Sequence, residues 1–316
     1  MRILVVGAGA VGGYFGGRLL EAARDVTFLV RPSRAARLAE TGLAIRSEHG
    51  DYDRPSPPTI TTDAIGEPFD VVLVSCKSYD LEGAIGDFAP AVGPETVVVP
   101  LLNGLRHLDV LDARFGADRV LGGLCLISSK IDDDGRIAHL SDVHRLAFGA
   151  RVPSQTNRVE AIARAFAGSK FESRASDDVM LEMWEKWVFL ATLAGITCLM
   201  RASIGDVAAA GGADLADALL DECRSIAEAN GRTPRASALE SGRARLTAPD
   251  SPLTASMLND LERGGRTEAD HVLGDLLHRR PDPPAFDRSL LRVAYTALKA
   301  QEIRAERMAR SCRPPA

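Results

Sequence analysis

Three glycines near the start of the chain, Gly7, Gly9 and Gly12, follow the pattern G-x-G-x-x-G. They come directly after the apolar run 2–6 and open a helical pattern that extends to about residue 22. In that context the first glycine permits a tight turn, the second lets the backbone approach a pyrophosphate, and the third lets helix and strand pack closely. A glycine turn without a ligand is the alternative. The pattern favours a dinucleotide site, formed by Gly7, Ala8, Gly9, Ala10, Val11 and Gly12.

The residues after the second predicted strand (25–30) indicate which dinucleotide would bind. Sites selective for NAD usually carry Asp or Glu there, which accepts a hydrogen bond from the ribose 2′-hydroxyl. This chain has Arg31 and Arg34 and no acid between residues 29 and 34. A guanidinium at Arg31 could fork onto a 2′-phosphate, whereas the alternative for Arg31 is a solvated surface side chain. The sequence therefore predicts NADPH as the cofactor.

Lys77 and Asn103 each come just after a fully apolar predicted strand, 70–75 and 96–102 respectively. In parallel sheets ligands bind beyond the carboxyl ends of the strands, so both residues are expected on the same edge as Gly7 and Arg31. The alternatives are a solvated turn lysine and a turn-forming asparagine before Gly104.

Lys186 stands at the head of the apolar run 187–200. A lysine at the mouth of a hydrophobic region can serve as a general acid that protonates a carbonyl oxygen as hydride reaches the carbon. Glu182 lies four residues earlier, so an ion pair along a helix is the alternative role. Thr267 can cap a helix that contains Glu268, although this segment alone reads as a loop and a helix start.

Apolar strand patterns alternate with helical patterns over the first ~130 residues, which is typical of a parallel sheet with crossover helices. From about Asp177 the periodicity is helical throughout. The fold class is therefore α/β, with an N-terminal Rossmann-type doubly wound sheet (1–170) followed by an all-helical C-terminal domain (171–316). The helices expected in the second domain span 215–230, 237–242, 267–277 and 287–308.

Composition excludes several classes of protein. Of 316 residues, 46% are hydrophobic and 26% charged, and the formal net charge of −5 argues against nucleic acid as a partner. Five scattered cysteines favour a reducing compartment over a disulfide framework, and neither they nor the six histidines show metal-ligand spacing, so no metal is expected. The longest nearly apolar run has 14 residues, whereas a membrane span needs about 20. With a strand beginning within two residues of Met1, we expect a cytoplasmic protein without a membrane partner.

Taken in order, the motifs resemble those of the 2-dehydropantoate 2-reductase, or ketopantoate reductase, family over nearly the whole chain. The lysine and the late serine-to-glutamate segment are not general Rossmann features. The residues that carry the resemblance are Gly7-x-Gly-x-x-Gly12, Arg31, Val74-Ser-Cys-Lys77, Leu102-Asn-Gly104, Trp184-Glu-Lys186, Ser256-Met-Leu258 and Thr267-Glu268.

The resemblance implies a reductase in which the N-terminal domain binds NADPH and the helical domain closes over a small 2-oxo acid. It implies that Lys186 donates the proton and that Glu268 positions the lysine or the reacting hydroxyl. It also implies that Ser256 contacts the carboxylate side of the substrate, while Lys77 and Asn103 line the nicotinamide end. The implied reaction converts 2-dehydropantoate to (R)-pantoate, a step toward pantothenate.

One departure from the family pattern concerns the substrate. Leu190 and Ala194 stand four and eight residues after Lys186, where well-characterised members carry asparagines that contact polar groups of the substrate. A less polar 2-oxo or 3-oxo acid is therefore an alternative substrate. A non-catalytic NADPH-sensing protein is a third interpretation, against which Lys186 and Glu268 argue. The sequence leaves open whether the chain forms a homodimer.

Overall fold

The first half of the chain alternates strands and helices, as its sequence pattern predicts. The computed structural model describes residues 1–281 and 288–311, with side chains to residue 308. The strands are β1 (Arg2–Val6), β2 (Asp25–Leu29), β3 (Leu43–Arg46), β4 (Tyr52–Arg54), β5 (Thr59–Ile60), β6 (Val71–Val74), β7 (Val97–Pro100), β8 (Gly122–Ile131), β9 (Ile137–Gly149) and β10 (Glu172–Ala175). The helices of this half are α1 (Ala10–Glu21), α2 (Pro32–Thr41), α3 (Leu81–Phe88), α4 (Arg106–Phe115) and α5 (Thr156–Phe166).

Five parallel strands form the first sheet in the order β5-β2-β1-β6-β7. Strands β1, β6 and β7 are almost wholly buried, which explains their continuous apolar sequences. The chain moves outward from β1 to β2 and β5 on one side, and to β6 and β7 on the other. The strand order therefore reverses between β1 and β6, where doubly wound sheets bind their ligands at the carboxyl ends of the strands. The predicted α/β class and Rossmann-type sheet are confirmed.

A second sheet in the same half has the order β10-β9-β3-β4, with β8 paired antiparallel to β9. The sequence pattern predicts only a terminal strand group here, with separate strands at 136–140 and 145–149. The structure joins these two into β9, because the four residues 140–143 bulge out opposite the single residue Ser128 while the pairing with β8 continues on both sides.

Helix α1 packs between the two sheets through its glycines. A Cβ at Gly16 would lie 2.5 Å from the Phe28 ring of the first sheet, and one at Gly17 would lie 2.7 Å from Ile45 of the second sheet. Real Cβ atoms do not approach other atoms so closely, so α1 needs glycine on both faces. Helix α1 therefore holds the turn at its N-terminus in a fixed place relative to both sheets.

The chain divides into two compact units, residues 1–102 with 107–180, and residues 103–106 with the chain from Leu181 onward. Sequence periodicity places the boundary at 170/171. In the structure β10 pairs in parallel with β9, so residues 172–175 are part of the second sheet and the first unit extends through Met180.

Helices make up the second unit. They are α6 (Val179–Met200), α7 (Ile204–Ala209), α8 (Ala213–Ala229), α9 (Ala236–Leu246), α10 (Ser256–Glu262), α11 (Asp275–His278) and α12 (Leu290–Ser311). The helix predicted at 267–277 begins instead with a π-helical turn, Asp270–Gly274, that leads into α11. Residue 287, where the last predicted helix begins, lies outside the described residues.

Helix α6 is the one helix in the described part of the chain with the length and apolar composition of a membrane span. Within its most apolar 18-residue stretch, 67% of the residues are buried inside the fold. Helix α6 is therefore a core helix of the fold, as the sequence predicts for 187–200.

We expect Gly16→Ala to lower the free energy of unfolding by about 1–3 kcal/mol, because the added methyl overpacks α1 against the Phe28 ring. The matched control is Gly86→Ala in α3, where a Cβ meets nothing within 4 Å. That change should be neutral or stabilising by up to about 1 kcal/mol, because alanine is the better helix former. Urea unfolding of both variants measures the difference, and equal stabilities would contradict the packing account.

Candidate functional site

The glycine turn between β1 and α1 has a backbone conformation and close contacts that require glycine. Gly7 has φ +93° and its N–H donates to the Leu29 carbonyl at 3.0 Å. A Cβ at Gly12 would overlap both the Ser75 hydroxyl and the Gly7 carbonyl. Ser75, directly after β6, donates its hydroxyl to the Val6 carbonyl at 2.8 Å. The turn is thereby pinned at the point where the strand order reverses.

Gly9 leaves an open approach to the N-terminus of α1. It is exposed, and a Cβ added there would meet nothing within 4 Å. Helix α1 begins at Ala10, and no side chain in the described part of the chain caps it. The N–H groups of its first turn therefore point outward with a partial positive charge, which suits the pyrophosphate of a dinucleotide. The residues present fit such a cofactor.

Two basic side chains lie at this edge of the sheet. Arg31 precedes α2 at the end of β2, and its side chain is 76% exposed, with the guanidinium 3.9 Å from the Asp80 carboxylate. Lys77 is half-buried and follows β6 directly before the short turn 78–80. Arg34, which the sequence analysis does not assign to the site, donates to the Ala8 carbonyl at 2.9 Å and so supports the glycine turn.

In the second unit, Lys186 lies half-buried on α6 between two anchored neighbours. Glu185 forms an ion pair with Arg235. Trp187 is buried, and its indole N–H donates to the Val272 carbonyl at 2.8 Å. Because Val272 lies in the π-helical turn 270–274, this hydrogen bond ties the Lys186 segment of α6 to the segment that follows Glu268.

Glu268 is 8% exposed and lies just before that turn. On one side, the Thr267 hydroxyl accepts the Ala269 N–H at 3.3 Å and donates to Glu302 at 2.5 Å. Helix α12, which carries Glu302, thus fixes the backbone before Glu268. The N-cap of the π-helical turn is Ala269, without a side-chain cap, so Thr267 does not have the capping position that the sequence predicts.

On the other side of Glu268, Asp270 accepts hydrogen bonds from Tyr295 at 2.7 Å and Lys299 at 2.8 Å. Burial alone would raise the pKa of Asp270, but these two hydrogen bonds outweigh it and lower the pKa. Asp270 is therefore charged at neutral pH and holds the turn against α12. Sequence reasoning missed Tyr295 and Lys299, since their partners lie 25 and 29 residues away and no local pattern joins them.

The segment 103–106 packs against the same turn. Gly104 has φ +73°, and a Cβ there would lie 2.9 Å from the His271 carbonyl. His271 is 8% exposed and interacts with the backbone of Asn103. Burial lowers the pKa of His271, which outweighs the opposing effect of Glu268, so the ring is neutral at neutral pH. His271 therefore has Asn103 beside it in space and Glu268 three residues before it in the chain.

Ser256 is the exposed first residue of α10. Its neighbour Ala255 donates its N–H to the Thr197 hydroxyl at 3.4 Å, which places Ser256 beside α6. Thr197 lies about three helical turns beyond Lys186. Along that stretch Leu190 is half-buried and Ala194 fully buried, and neither side chain offers a hydrogen-bonding group.

The predicted site residues fall into two sets. Gly7–Gly12, Arg31 and Lys77 surround the carboxyl edge of the first sheet, whereas Asn103, Lys186, Ser256 and Glu268 belong to the helical unit. The first set has the features of a dinucleotide site. The second contains a lysine, a carboxylate and an amide, which together can donate a proton and orient a polar substrate.

Comparison with known proteins agrees with this arrangement. Residues 3–152 match the family model "Ketopantoate reductase PanE/ApbA", and residues 178–279 match that of its C-terminal domain. The chain is 42% identical over 281 residues to "Uncharacterized oxidoreductase YkpB" of Bacillus subtilis (strain 168), covering 88% of this chain and 92% of the relative. It is 26% identical over 283 residues to "2-dehydropantoate 2-reductase" of Nostoc sp. (strain PCC 7120), covering 88% of each.

Among solved structures, the chain is similar to that of 2-dehydropantoate 2-reductase from Geobacter metallireducens GS-15. The TM-score is 0.84 at 27% sequence identity, and the match covers 95% of this chain and 99% of the other. The likeness therefore includes both the sheet unit and the helical unit.

We expect Gly104→Ala to reduce turnover by about 10-fold or more, because the added methyl must displace the His271 backbone and with it the adjoining Asn103. The matched control is Gly231→Ala, where φ is +71° and a Cβ meets nothing within 4 Å. Both variants carry the same backbone strain, of roughly 1–2 kcal/mol. Steady-state kinetics with thermal melts separates the two effects, and equal losses in both variants would contradict a role for the contact.

Proposed function

Since the chain belongs to the ketopantoate reductase family and is a nicotinamide-dependent oxidoreductase, we propose that it reduces a 2-oxo acid with NADPH. The best single candidate is 2-dehydropantoate, which would give (R)-pantoate. The observation that supports the proposal most directly is in the helical unit, where the Trp187–Val272 hydrogen bond and the Gly104–His271 contact hold the chain segments that carry Lys186, Glu268 and Asn103 near one turn.

The proposed reaction converts a 2-oxo acid, NADPH and a proton into a 2-hydroxy acid and NADP⁺. When bound, the reduced nicotinamide supplies the hydride. The Lys186 ammonium donates its proton to the carbonyl oxygen as negative charge develops there. Glu268, held by its anchored neighbours, positions the lysine or the reacting hydroxyl, and the exposed Ser256 hydroxyl contacts the carboxylate side of the substrate. Asn103 and Lys77 line the nicotinamide end.

The proposed preference for NADPH over NADH is argued from the residues that follow β2. Leu29 is the last strand residue, and the next charged side chain is Arg31 rather than a carboxylate. Its pairing with Asp80 is exposed and long, so little free energy opposes a move of the guanidinium onto a 2′-phosphate. A bidentate guanidinium–phosphate contact is among the stronger hydrogen-bonded pairs.

A second candidate keeps the reaction and changes the substrate to a less polar oxo acid. Leu190 and Ala194 favour it, because neither can hydrogen-bond a hydroxyl on the substrate. Among the described residues, Cys76, Cys125, Cys198 and Cys223 are reduced thiols, which is consistent with our proposal of a cytoplasmic location.

Arg31→Ala should narrow the preference for NADPH over NADH by about 10-fold or more, since it removes a charge-assisted contact worth roughly 1.5–3 kcal/mol. Most of the change should appear as a higher KM for NADPH, with KM for NADH little altered. Wild-type protein that uses the two cofactors equally well would reject the 2′-phosphate assignment.

Lys186→Ala should lower kcat by ~10²-fold or more, because the ketone oxygen would lose its proton donor. Lys130→Ala, an exposed lysine on β8, is the matched control and should leave kcat unchanged. Retention of NADPH binding in the Lys186 variant, followed by fluorescence, would exclude a misfolded site. Full activity of that variant would remove Lys186 from the mechanism.

Two substrates that differ by one hydroxyl group distinguish the two candidate functions. Ketopantoate and 3,3-dimethyl-2-oxobutanoate share a carbon skeleton, and only the first carries the 4-hydroxyl. We expect kcat/KM for ketopantoate to be higher by at least about 10-fold, since a site that hydrogen-bonds a hydroxyl rejects the analogue without it. The reverse order would favour the less polar substrate, and turnover of no oxo acid in a broad panel would overturn the proposed function.

A further inference from the structure

Three histidines of the first unit come together on the second sheet, although none belongs to the residues assigned to cofactor or substrate. One ring nitrogen from each of His49, His139 and His144 lies within 4.8 Å of the other two. The His49 and His144 rings are stacked, with centroids 3.9 Å apart, and those of His139 and His144 are 5.3 Å apart. Sequence spacing does not indicate this cluster, because the fold brings His49, from the turn after β3, to two histidines of β9.

The bulge in β9 and the turn after β3 bring the three rings together. His139 and His144 flank the bulge, where they pair with Ser129 and Ile127 of β8. Strand β3 runs parallel to β9, so the turn 47–50 that follows it lies beside His139. Within that turn the Ser47 hydroxyl accepts a hydrogen bond from the backbone N–H of His49 at 3.2 Å, and it lies 2.9 Å from Nδ1 of His139.

Backbone carbonyls fix the orientation of two of the rings. Nε2 of His49 lies 3.0 Å from the Asp142 carbonyl, and Nε2 of His139 lies 3.3 Å from the Val143 carbonyl. Because a carbonyl can only accept, each ring carries its proton on Nε2 and a lone pair on Nδ1. Histidines that bind metals usually donate their other ring N–H to a carbonyl or carboxylate in this way.

The third ring has a side-chain partner. Nδ1 of His144 lies 2.6 Å from the Tyr14 hydroxyl of α1. Tyr14 is buried, so the hydroxyl holds the ring in place from the α1 side. Each of the three imidazoles is thus oriented by a neighbour in the fold.

Imidazole binds metals through a ring-nitrogen lone pair of its neutral form. Arg18, whose charge acts on His139 and His144, pairs with Glu21 at 2.7 Å, which reduces its repulsion of a metal ion.

We propose that His49, His139 and His144 bind one divalent transition-metal ion, and that Zn²⁺ is the ion they favour. Imidazole nitrogen suits zinc, and three histidines with a water molecule complete a tetrahedral shell. Zinc–nitrogen bonds of about 2.0 Å place neighbouring ligand atoms roughly 3.3 Å apart, so the rings need to close by about 1.5 Å or less. His49 is exposed, so its ring can unstack from His144 and an ion can enter from solvent.

Such an ion would join the turn 47–50 to β9, since its ligands come from both. It would bind the folded chain and not the unfolded one, and would therefore stabilise the first unit by an amount that grows with the logarithm of the ion concentration above Kd. The site is structural, because none of its ligands belongs to the residues that hold the cofactor or the substrate.

The test is calorimetric titration of Zn²⁺ into untagged, EDTA-dialysed full-length protein, followed by melts with and without the ion. We expect one equivalent to bind per chain and to raise the Tm. His49→Ala should weaken the affinity by about 10-fold or more, since an exposed ligand is lost without a cavity in the core. His278→Ala, in the helical unit, is the matched control and should bind as the wild type does.

Co²⁺ gives an independent readout that reports on geometry. Tetrahedral nitrogen ligation should produce visible absorption bands that disappear in His49→Ala and persist in His278→Ala. Absence of saturable binding to the wild type, or binding of equal strength in His49→Ala, would overturn the proposal. Bands typical of thiolate ligation would do so as well, because they would assign the ion to a cysteine.

Discussion

A buried hydrogen bond from the Trp187 indole to the Val272 carbonyl joins two segments of the helical unit that are 85 residues apart in the chain. One segment carries Lys186 and the other follows Glu268. A buried donor such as the indole N–H that loses its partner is penalised by about 1–3 kcal/mol, so this contact favours keeping the two segments together. The π-helical turn at 270–274 belongs to a rare class of structure that is frequently found at functional sites. The relative positions of the segments that carry Lys186 and Glu268 depend on this contact.

In the sheet unit, close packing fixes the conformation of the glycine turn. Gly12 has no room for a side chain, Gly7 has a positive φ that other residues rarely adopt, and Ser75 closes the turn from β6. The N-terminus of α1 is therefore set by backbone packing, and the glycines of α1 fix that helix between two sheets. A rigid anion site of this kind needs little reorganisation when a pyrophosphate binds, which favours affinity.

The sheet unit could be predicted well because its signals are local. The apolar strands lie within a few positions of the glycine pattern and of the residues that follow each strand. Gly7–Gly12, Arg31 and Lys77 can therefore be predicted from their spacing as candidate cofactor-site residues. The second sheet was harder to predict. The bulge in β9 interrupts its alternation of polar and apolar residues, so one strand resembles two.

The helical unit shows where sequence reasoning ends. Ser256 and Glu268 are predicted as site residues through family resemblance, and Lys186 through its position at the head of an apolar run together with that resemblance, since each alone also has an ordinary structural interpretation. Lys299 and Tyr295, which hold Asp270, carry no signal of their own, because their roles exist only once α12 packs against the turn. The histidine cluster is absent from any one-dimensional pattern for the same reason.

Replacement of Trp187 by phenylalanine tests the central claim most directly, because it removes the indole donor and keeps an aromatic ring in the core. If the contact places the proton donor, kcat should fall by about 10- to 100-fold while NADPH binds as before, since small misplacements of a reacting group have effects of that size. An unchanged kcat in a folded Trp187→Phe protein would contradict the account.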